Sequence, residues 1–169
     1  MNDAPNLYEA TKDLHHACEV HPVGQRMQAG AVTHDAWADW LLAFRVLHRA
    51  ADRMLPEHMA RDQLLAADLS VLPVGAYSPT AEAFAETLMD VEATGAAYVL
   101  HGAHRSGGRV LAPKLAKRGF PSLHVVYSRP DAVKEWLDAT RGADAFRQQA
   151  RDTFFCLLDV MDEIEARHG

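Results

Sequence analysis

The spacing of its apolar residues restricts this chain more than any other feature. Between Thr33 and Pro56, the residues Trp37, Trp40, Leu41, Phe44, Leu47, Ala51 and Leu55 recur at steps of three and four, the period of one face of an α-helix. Thr33 stands where an N-cap belongs, Asp35 falls in the first turn, and Pro56 ends the run. The same spacing returns between Asp144 and His168, where Phe146, Ala150, Phe154, Leu157, Leu158, Met161 and Ile164 share a stripe. Only Ser122 to Tyr127 is strand-like, and nothing else in the chain offers it a partner.

The remaining segments carry the helical signal in shorter form. Leu7 to Glu19 reads as an amphipathic helix, with Asn6 as N-cap and Glu9 placed to reach back to it. His21-Pro22 breaks the chain, and a short helix runs to Ala29 before Gly30. Glu57 to Asp68 reads as a helix and Leu69 to Tyr77 as irregular chain; Ser78-Pro79 then starts a helix with Phe84, Leu88 and Val91 inward. Helical character continues from Glu92 to about Leu115, until Gly119 and Pro121 close it. Ser128-Arg-Pro-Asp131 opens another helix, which stops near Gly142. The expectation is an all-α protein, one domain over residues 1–169, built as a bundle of about seven or eight helices.

At 169 residues the chain is long enough to bury a sizeable core. It has no apolar run of membrane-spanning length and no secretory hydrophobic region near Met1, so a cytoplasmic protein is expected. A formal net charge of -6 argues against general nucleic-acid binding, which needs a concentrated basic surface. Cys18 and Cys156 form no Cys-x-x-Cys motif and fall on apolar stripes, as reduced core thiols do. Most of the ten histidines sit among polar neighbours and read as surface residues.

Two stretches carry chemistry. In the first helix, His15 shares a stripe with Tyr8, Thr11 and Cys18 beside Leu7 and Leu14, while His16 falls with Glu9, Lys12 and Glu19. One imidazole is therefore expected inward and the other in water. An inward neutral imidazole serves equally as an iron ligand or as a hydrogen-bonded core residue. The second stretch, Ala96 to Leu111, holds Gly102, Gly107 and Gly108, with Gly95 just before it. Each interior glycine weakens a helix by about 1 kcal/mol relative to alanine. Gly95, Tyr98, Gly102 and Ser106 share a face that is small apart from the tyrosine. That face suits close helix packing and suits a flat ligand laid on bare backbone; spacing alone does not choose.

Together these stretches resemble the biliverdin-producing heme oxygenases, in particular the bacterial, phytochrome-associated type. Glu9-Ala-Thr-Lys-Asp-Leu-His15, followed by Glu19, is similar to the family's proximal-helix motif, and Gln28-Ala-Gly-Ala-Val-Thr-His-Asp35 to the segment after it. Tyr98 and Ser106-Gly-Gly-Arg-Val-Leu111 resemble its glycine-rich distal helix, and Thr153 to Met161 its closing helix. The resemblance implies a heme b, cofactor and substrate at once, held between the two helices with His15 as the axial iron ligand. Lys12, Lys134 and Arg141 would meet its propionates, and Tyr98, Gly102, Ser106 and Gly107 would line its distal face. The implied reaction uses O2 and electrons from a donor such as a ferredoxin and its reductase, and yields biliverdin, Fe2+ and CO. A phytochrome is an implied acceptor of the product.

The chain departs from that pattern on the distal side. Aligned without a gap from Tyr98, the family's distal Gly-Asp becomes Ala103-His104; aligned on Gly102, the helix carries one extra residue before Gly107. Either way the distal carboxylate is missing, and Asp138 stands near the place of a propionate-binding arginine. His104 then has three roles open to it: relaying protons together with Arg105, ligating iron on the distal side, or pointing to solvent. The second role gives an alternative function, a carrier or sensor that binds heme without degrading it, which the pair His101 and His104 motivates. A di-iron oxidase on the same scaffold is the third reading. Its donors would be Glu9, His16, Glu92 and His101, and its one Glu-x-x-His pair, Glu165 to His168, lies at the end of the chain.

Overall fold

The computed structural model describes residues 6–169. Among these, the ordered chain is entirely helical. The helices are Leu7–Val20 (α1), Pro22–Gln28 (α2), His34–Ala51 (α3), Asp62–Leu69 (α4), Pro79–Leu88 (α5), Thr94–Gly102 (α6), Arg109–Ala116 (α7), Pro130–Thr140 (α8) and Arg147–His168 (α9). Side chains close the helix starts where the sequence places caps. Asn6 accepts from Glu9 N–H, Thr33 from Ala36 N–H and Ser78 from Ala81 N–H. Each such cap stabilises by about 1 kcal/mol. Among the described residues, no helix is long and apolar enough to cross a membrane.

The long helices α3 and α9 organise the rest. Trp37, Leu41, Phe44 and Leu47 of α3 are buried together with Leu157, Val160, Met161 and Ile164 of α9, and Ala81, Ala85 and Leu88 of α5 close onto them. α1 packs along α9 and α2, and α6 packs on α9, α3 and α8. α9 is therefore the common support of both chemically marked stretches. Polar clamps fix α1 to it. The Arg151 guanidinium donates to Ala10 C=O at 2.6 Å and to both Asp13 oxygens at 3.0 and 3.2 Å. The N–H of Leu7 donates to Arg141 C=O at the end of α8, at 2.8 Å.

The structure differs from the periodicity reading at element ends. α3 stops at Ala51 and continues as a 3-10 turn over Asp52–Met54. The helix expected over Glu57 to Asp68 is a separate 3-10 turn, Glu57–Met59, followed by α4. Val91 lies beyond the end of α5 and is exposed, so Ala81, Ala85 and Leu88 form the buried line instead. The strand-like segment at 122–127 is a 3-10 turn, Leu123–Val125. With no second strand among the described residues to satisfy its backbone, its neighbouring carbonyls are taken by a side chain: Arg61 Nη1 reaches His124 C=O at 3.2 Å and Val126 C=O at 2.8 Å.

Space around the glycines separates two kinds of position. A Cβ on Gly95 would stand 2.7 Å from Phe146 C=O and 3.0 Å from Ala150 N, so α6 approaches α9 only because that Cβ is missing. A Cβ on Gly107 would meet nothing within 4 Å. Gly95→Ala should therefore lower stability by about 1–3 kcal/mol through overpacking. Gly107→Ala should raise it by up to about 1 kcal/mol through helix propensity. Denaturant unfolding of the two variants checks the opposite signs.

Candidate functional site

The proximal stretch is more open than its stripe suggests. Leu7, Ala10, Thr11 and Leu14 are the buried line of α1. The expectation that His15 faces inward is not met: its side chain is 58% exposed and that of His16 73%. The buried line consists of aliphatic residues and one threonine, and His15 flanks it. Its ring lies edge-on to Phe154 of α9, centroids 6.2 Å apart, and its Nδ1 stands 3.7 Å from Glu19 Oε1. Its Nε2 carries no hydrogen bond among the described residues. His15 thus offers an accessible imidazole nitrogen from a clamped helix.

The distal stretch changes helical type. After α6 the residues Ala103–Gly108 form a π-helical turn, in which Arg109 N–H reaches back to His104 C=O, five residues earlier. Such turns arise where a helix accommodates one residue too many, and they concentrate at functional sites. The turn also resets the faces. Gly102 and Gly107, five apart, both have open space where a Cβ would be, whereas one on Gly108 would collide with Val125 Cγ1 at 2.7 Å. The face expected from Gly95, Tyr98, Gly102 and Ser106 is thereby divided. Gly95 serves packing against α9; Gly102 and Gly107 leave bare backbone facing free space, with Tyr98 half-buried and Ser106 exposed. Arg105, in the same turn, has its Nε buried without a hydrogen-bond partner.

Behind this turn stands a buried cluster that joins His101 and His104 to two histidines, His48 and His124, for which the sequence suggests no site. His48, His101, His104 and His124 are all buried. Asp52, just past α3, is their centre. One carboxylate oxygen lies 3.0 Å from His48 Nδ1 and accepts Arg61 N–H at 3.1 Å; the other lies 2.8 Å from His101 Nε2. The remaining nitrogen of His101 is 2.7 Å from the Tyr127 hydroxyl, and His48 Nε2 is 2.7 Å from His104 Nε2. His104 and His124 rings meet edge-to-face at 5.0 Å, and Asp68 holds His124 through Nδ1 at 2.6 Å and its backbone N–H at 3.0 Å. The Arg61 guanidinium covers the Tyr127 ring at 4.0 Å. Burial alone would lift the Asp52 carboxyl; the charge of His48 and the hydrogen bond from His101 outweigh it and hold it well below the usual carboxylate range. The signal missed in the sequence is that His48 continues the Trp37, Leu41, Phe44 stripe, with Asp52 one turn on.

These contacts decide several expectations. His104 does not point to solvent, because its Nε2 is committed to His48. His101 has both nitrogens engaged, so the pair that motivated a carrier with a distal ligand is turned away from that role. The di-iron donors are not brought together: Glu9 pairs with Lys12, His16 lies near Glu19, and His101 is bound to Asp52. Glu165 and His168 pair with Arg26 and Asp39 respectively. Among the described residues, His48, Asp52 and His101 are the group of metal-type donors whose atoms converge, all within 4.8 Å. The three expected propionate partners are exposed and each faces a carboxylate. Lys12 lies 2.5 Å from Glu9, Lys134 2.6 Å from Asp138, and Arg141 3.5 Å from Asp138. The thiols of Cys18 and Cys156 are unpaired, and burial pushes each up to about 12.

No family model and no curated protein matches the sequence. Solved structures do match in fold. The heme oxygenase-1 of the cyanobacterium Synechocystis, in complex with heme, gives a TM-score of 0.75 at 16% identity, covering 95% of this chain and 91% of that one. The heme oxygenase of Leptospira interrogans gives 0.77 at 14% identity, covering 93% and 97% respectively. At these identities the likeness establishes the fold, which is the all-α fold of bacterial heme oxygenases.

The buried imidazoles make stability depend on pH in a defined direction. Burial holds His101 below the usual histidine range and His104 well below it. Unfolded histidines take up protons near pH 6.5, so below that pH the unfolded chain binds more protons than the folded one. Stability is then complete above about pH 6.5 and declines as the pH falls. Asp52 adds a further loss below about pH 4, where an unfolded aspartate protonates. In His104→Gln the decline between pH 6.5 and 4.5 should be shallower, by at most about 1.4 kcal/mol per pH unit. Urea unfolding across that range measures the slope, whatever the variant's stability at neutral pH.

Proposed function

We propose that this protein binds heme between α1 and the glycine-bearing α6–π segment and degrades it oxidatively to biliverdin, Fe2+ and CO. The observation that carries this reading is the conjunction of an accessible His15 Nε2 on a clamped helix with bare backbone at Gly102 and Gly107, on the fold of bacterial heme oxygenases. Both features fit a planar macrocycle. An imidazole ligates iron from one side, and missing Cβ atoms let a flat ring approach the helix on the other. Heme itself supplies the redox iron and is also the substrate; O2 and an electron donor such as a ferredoxin with its reductase complete the reaction.

The protein's own contribution is positional and electrostatic. His15 fixes the iron end. Lys12, Lys134 and Arg141, each balanced by a neighbouring carboxylate, exchange those partners for propionates at the rim. Tyr98, Gly102, Ser106 and Gly107 form the distal wall. Arg105 brings a guanidinium whose Nε has no protein partner, and His104 links the wall to the polar cluster behind it. Product transfer to a phytochrome and a cytoplasmic setting go with this reading.

Hemin titration followed by ascorbate or a ferredoxin system in air tests it. The wild type should give a histidine-ligated Soret band and then biliverdin absorbance. His15→Ala should lose that band and coupled turnover. An unchanged spectrum in His15→Ala would refute the ligand assignment, and a stable complex with no biliverdin would leave only heme binding.

A further inference from the structure

Three rings and one carboxylate in the buried cluster form a chain whose protons can be counted. Asp52 accepts on both oxygens, so His48 presents Nδ1–H to it and His101 presents Nε2–H. His101 Nδ1 is then an acceptor for the Tyr127 O–H. Between His48 Nε2 and His104 Nε2, 2.7 Å apart, there is room for one proton. Of the six nitrogens in these rings, His104 Nδ1 alone has no hydrogen bond among the described residues. It is the open end of the chain, on a residue that lies in the π-turn and stands between Gly102 and Gly107 in sequence.

The links from Asp52 through His48 to His104 Nε2 are all kept in two states that differ by one proton. In the first, the shared proton is on His104 Nε2, His48 is neutral and His104 Nδ1 is bare. In the second, a proton has arrived on His104 Nδ1, the shared proton has moved to His48 Nε2, and His48 is an imidazolium against the Asp52 carboxylate. No contact has to break to pass between them. Release reverses the sequence: His48 returns the shared proton to His104 Nε2, and the Nδ1 proton leaves. We propose that Asp52, His48 and His104 are a side-chain proton relay that stores one proton behind the distal wall and returns it through His104, with Asp52 and His48 as positioning residues. The proposal rests on the heme-degrading reading, and it assigns two residues, on α3 and just past its end, to that reaction.

The surrounding charges suit one proton. Facing the relay are His101 from α6, Arg61 from the loop before α4, Asp68 from α4, His124 and Tyr127 from the 122–127 segment, and Arg105 beside His104. The two carboxylates are balanced by the Arg61 and Arg105 guanidiniums, and Asp52, 3.0 Å from His48 Nδ1, is the charge that a stored proton meets. A metal ion on His48, Asp52 and His101 is the competing occupant. It would take the lone pairs at His48 Nδ1 and His101 Nε2, invert both tautomers and oblige Tyr127 and His104 to reorient.

Nitrogen-15 NMR of the histidine side chains in the heme-free protein reads the tautomers directly. With the full chain titrated from pH 8 to pH 5, His48 should become doubly protonated while His104, staying neutral, switches from Nε2–H to Nδ1–H in the same step. In Asp52→Asn, which keeps the shape, that coupled switch should vanish. In the heme-loaded protein, Asp52→Asn should slow biliverdin formation about a hundredfold, with heme affinity changed less than twofold. His104 protonating while His48 stays neutral overturns the relay, as does one equivalent of metal in the purified protein or full turnover in a folded Asp52→Asn. Wild-type protein that leaves heme intact fails the functional reading itself, a result distinct from a wild type and an Asp52→Asn that turn over equally.

Discussion

A buried carboxylate needs partners on both oxygens, and Asp52 obtains them from three separate parts of the chain. His48 comes from its own helix, His101 from α6, and the Arg61 N–H from the loop that leads to α4. Taking one partner from a buried ionic arrangement typically costs about 3–5 kcal/mol, because the remaining charge cannot return to water. The arrangement therefore fixes where α6 sits on α3 more sharply than apolar packing does, since packing tolerates small slides and hydrogen bonds do not. Arg61 extends the constraint. Its side chain is spent on the carbonyls of His58, Met59, Ala60, His124 and Val126, tying down two stretches that have no regular ladder of their own.

The same constraint bears on the distal wall. A π-turn is intrinsically weaker than an α-turn, and glycines at its edges weaken it further. Left alone, such a segment would sample several backbones. Here His104 is bound to His48 and packs on Phe44 and His124, while Gly108 lets the chain lie against Val125. The back of the turn is held by polar and aromatic contacts, which frees its front to consist of backbone. Bare backbone on the open side and a stiff polar anchor on the other are complementary demands, and the one residue beyond an α-helical count lets both faces be met.

Periodicity made most helices legible, because a long amphipathic stripe has few alternatives. The two long runs led by Trp37 and Phe146, the caps at Asn6, Thr33 and Ser78, and the breaks at Pro22 and Gly119 all fall where those residues dictate. Short segments were not legible. A six-residue alternation at 122–127 looks like a strand by pattern, but a strand is a relation between segments, and here an arginine takes its carbonyls. The histidines were the larger omission. A histidine in an apolar stripe looks like an interruption of the stripe, and only the positions of Asp52, Tyr127 and a second histidine reveal that it is satisfied there. His15 shows the converse. Its place in the stripe suggested burial, yet Leu7, Ala10 and Leu14 already fill the contact with α9 and leave the ring at the margin.

Those two misplacements are connected. An iron ligand must keep a lone pair accessible, so an imidazole fit for that task has to sit beside the core and not in it. A residue that moves protons has the opposite need: its states must be equalised by neighbours that solvent would otherwise screen, which requires burial. His15 is exposed and spare at Nε2, and His48 is sealed with both nitrogens occupied. The helices that hold these two imidazoles, α1 and α3, both pack on α9. The distance between an accessible imidazole and a sealed one is thus set by α9, the longest helix among the described residues.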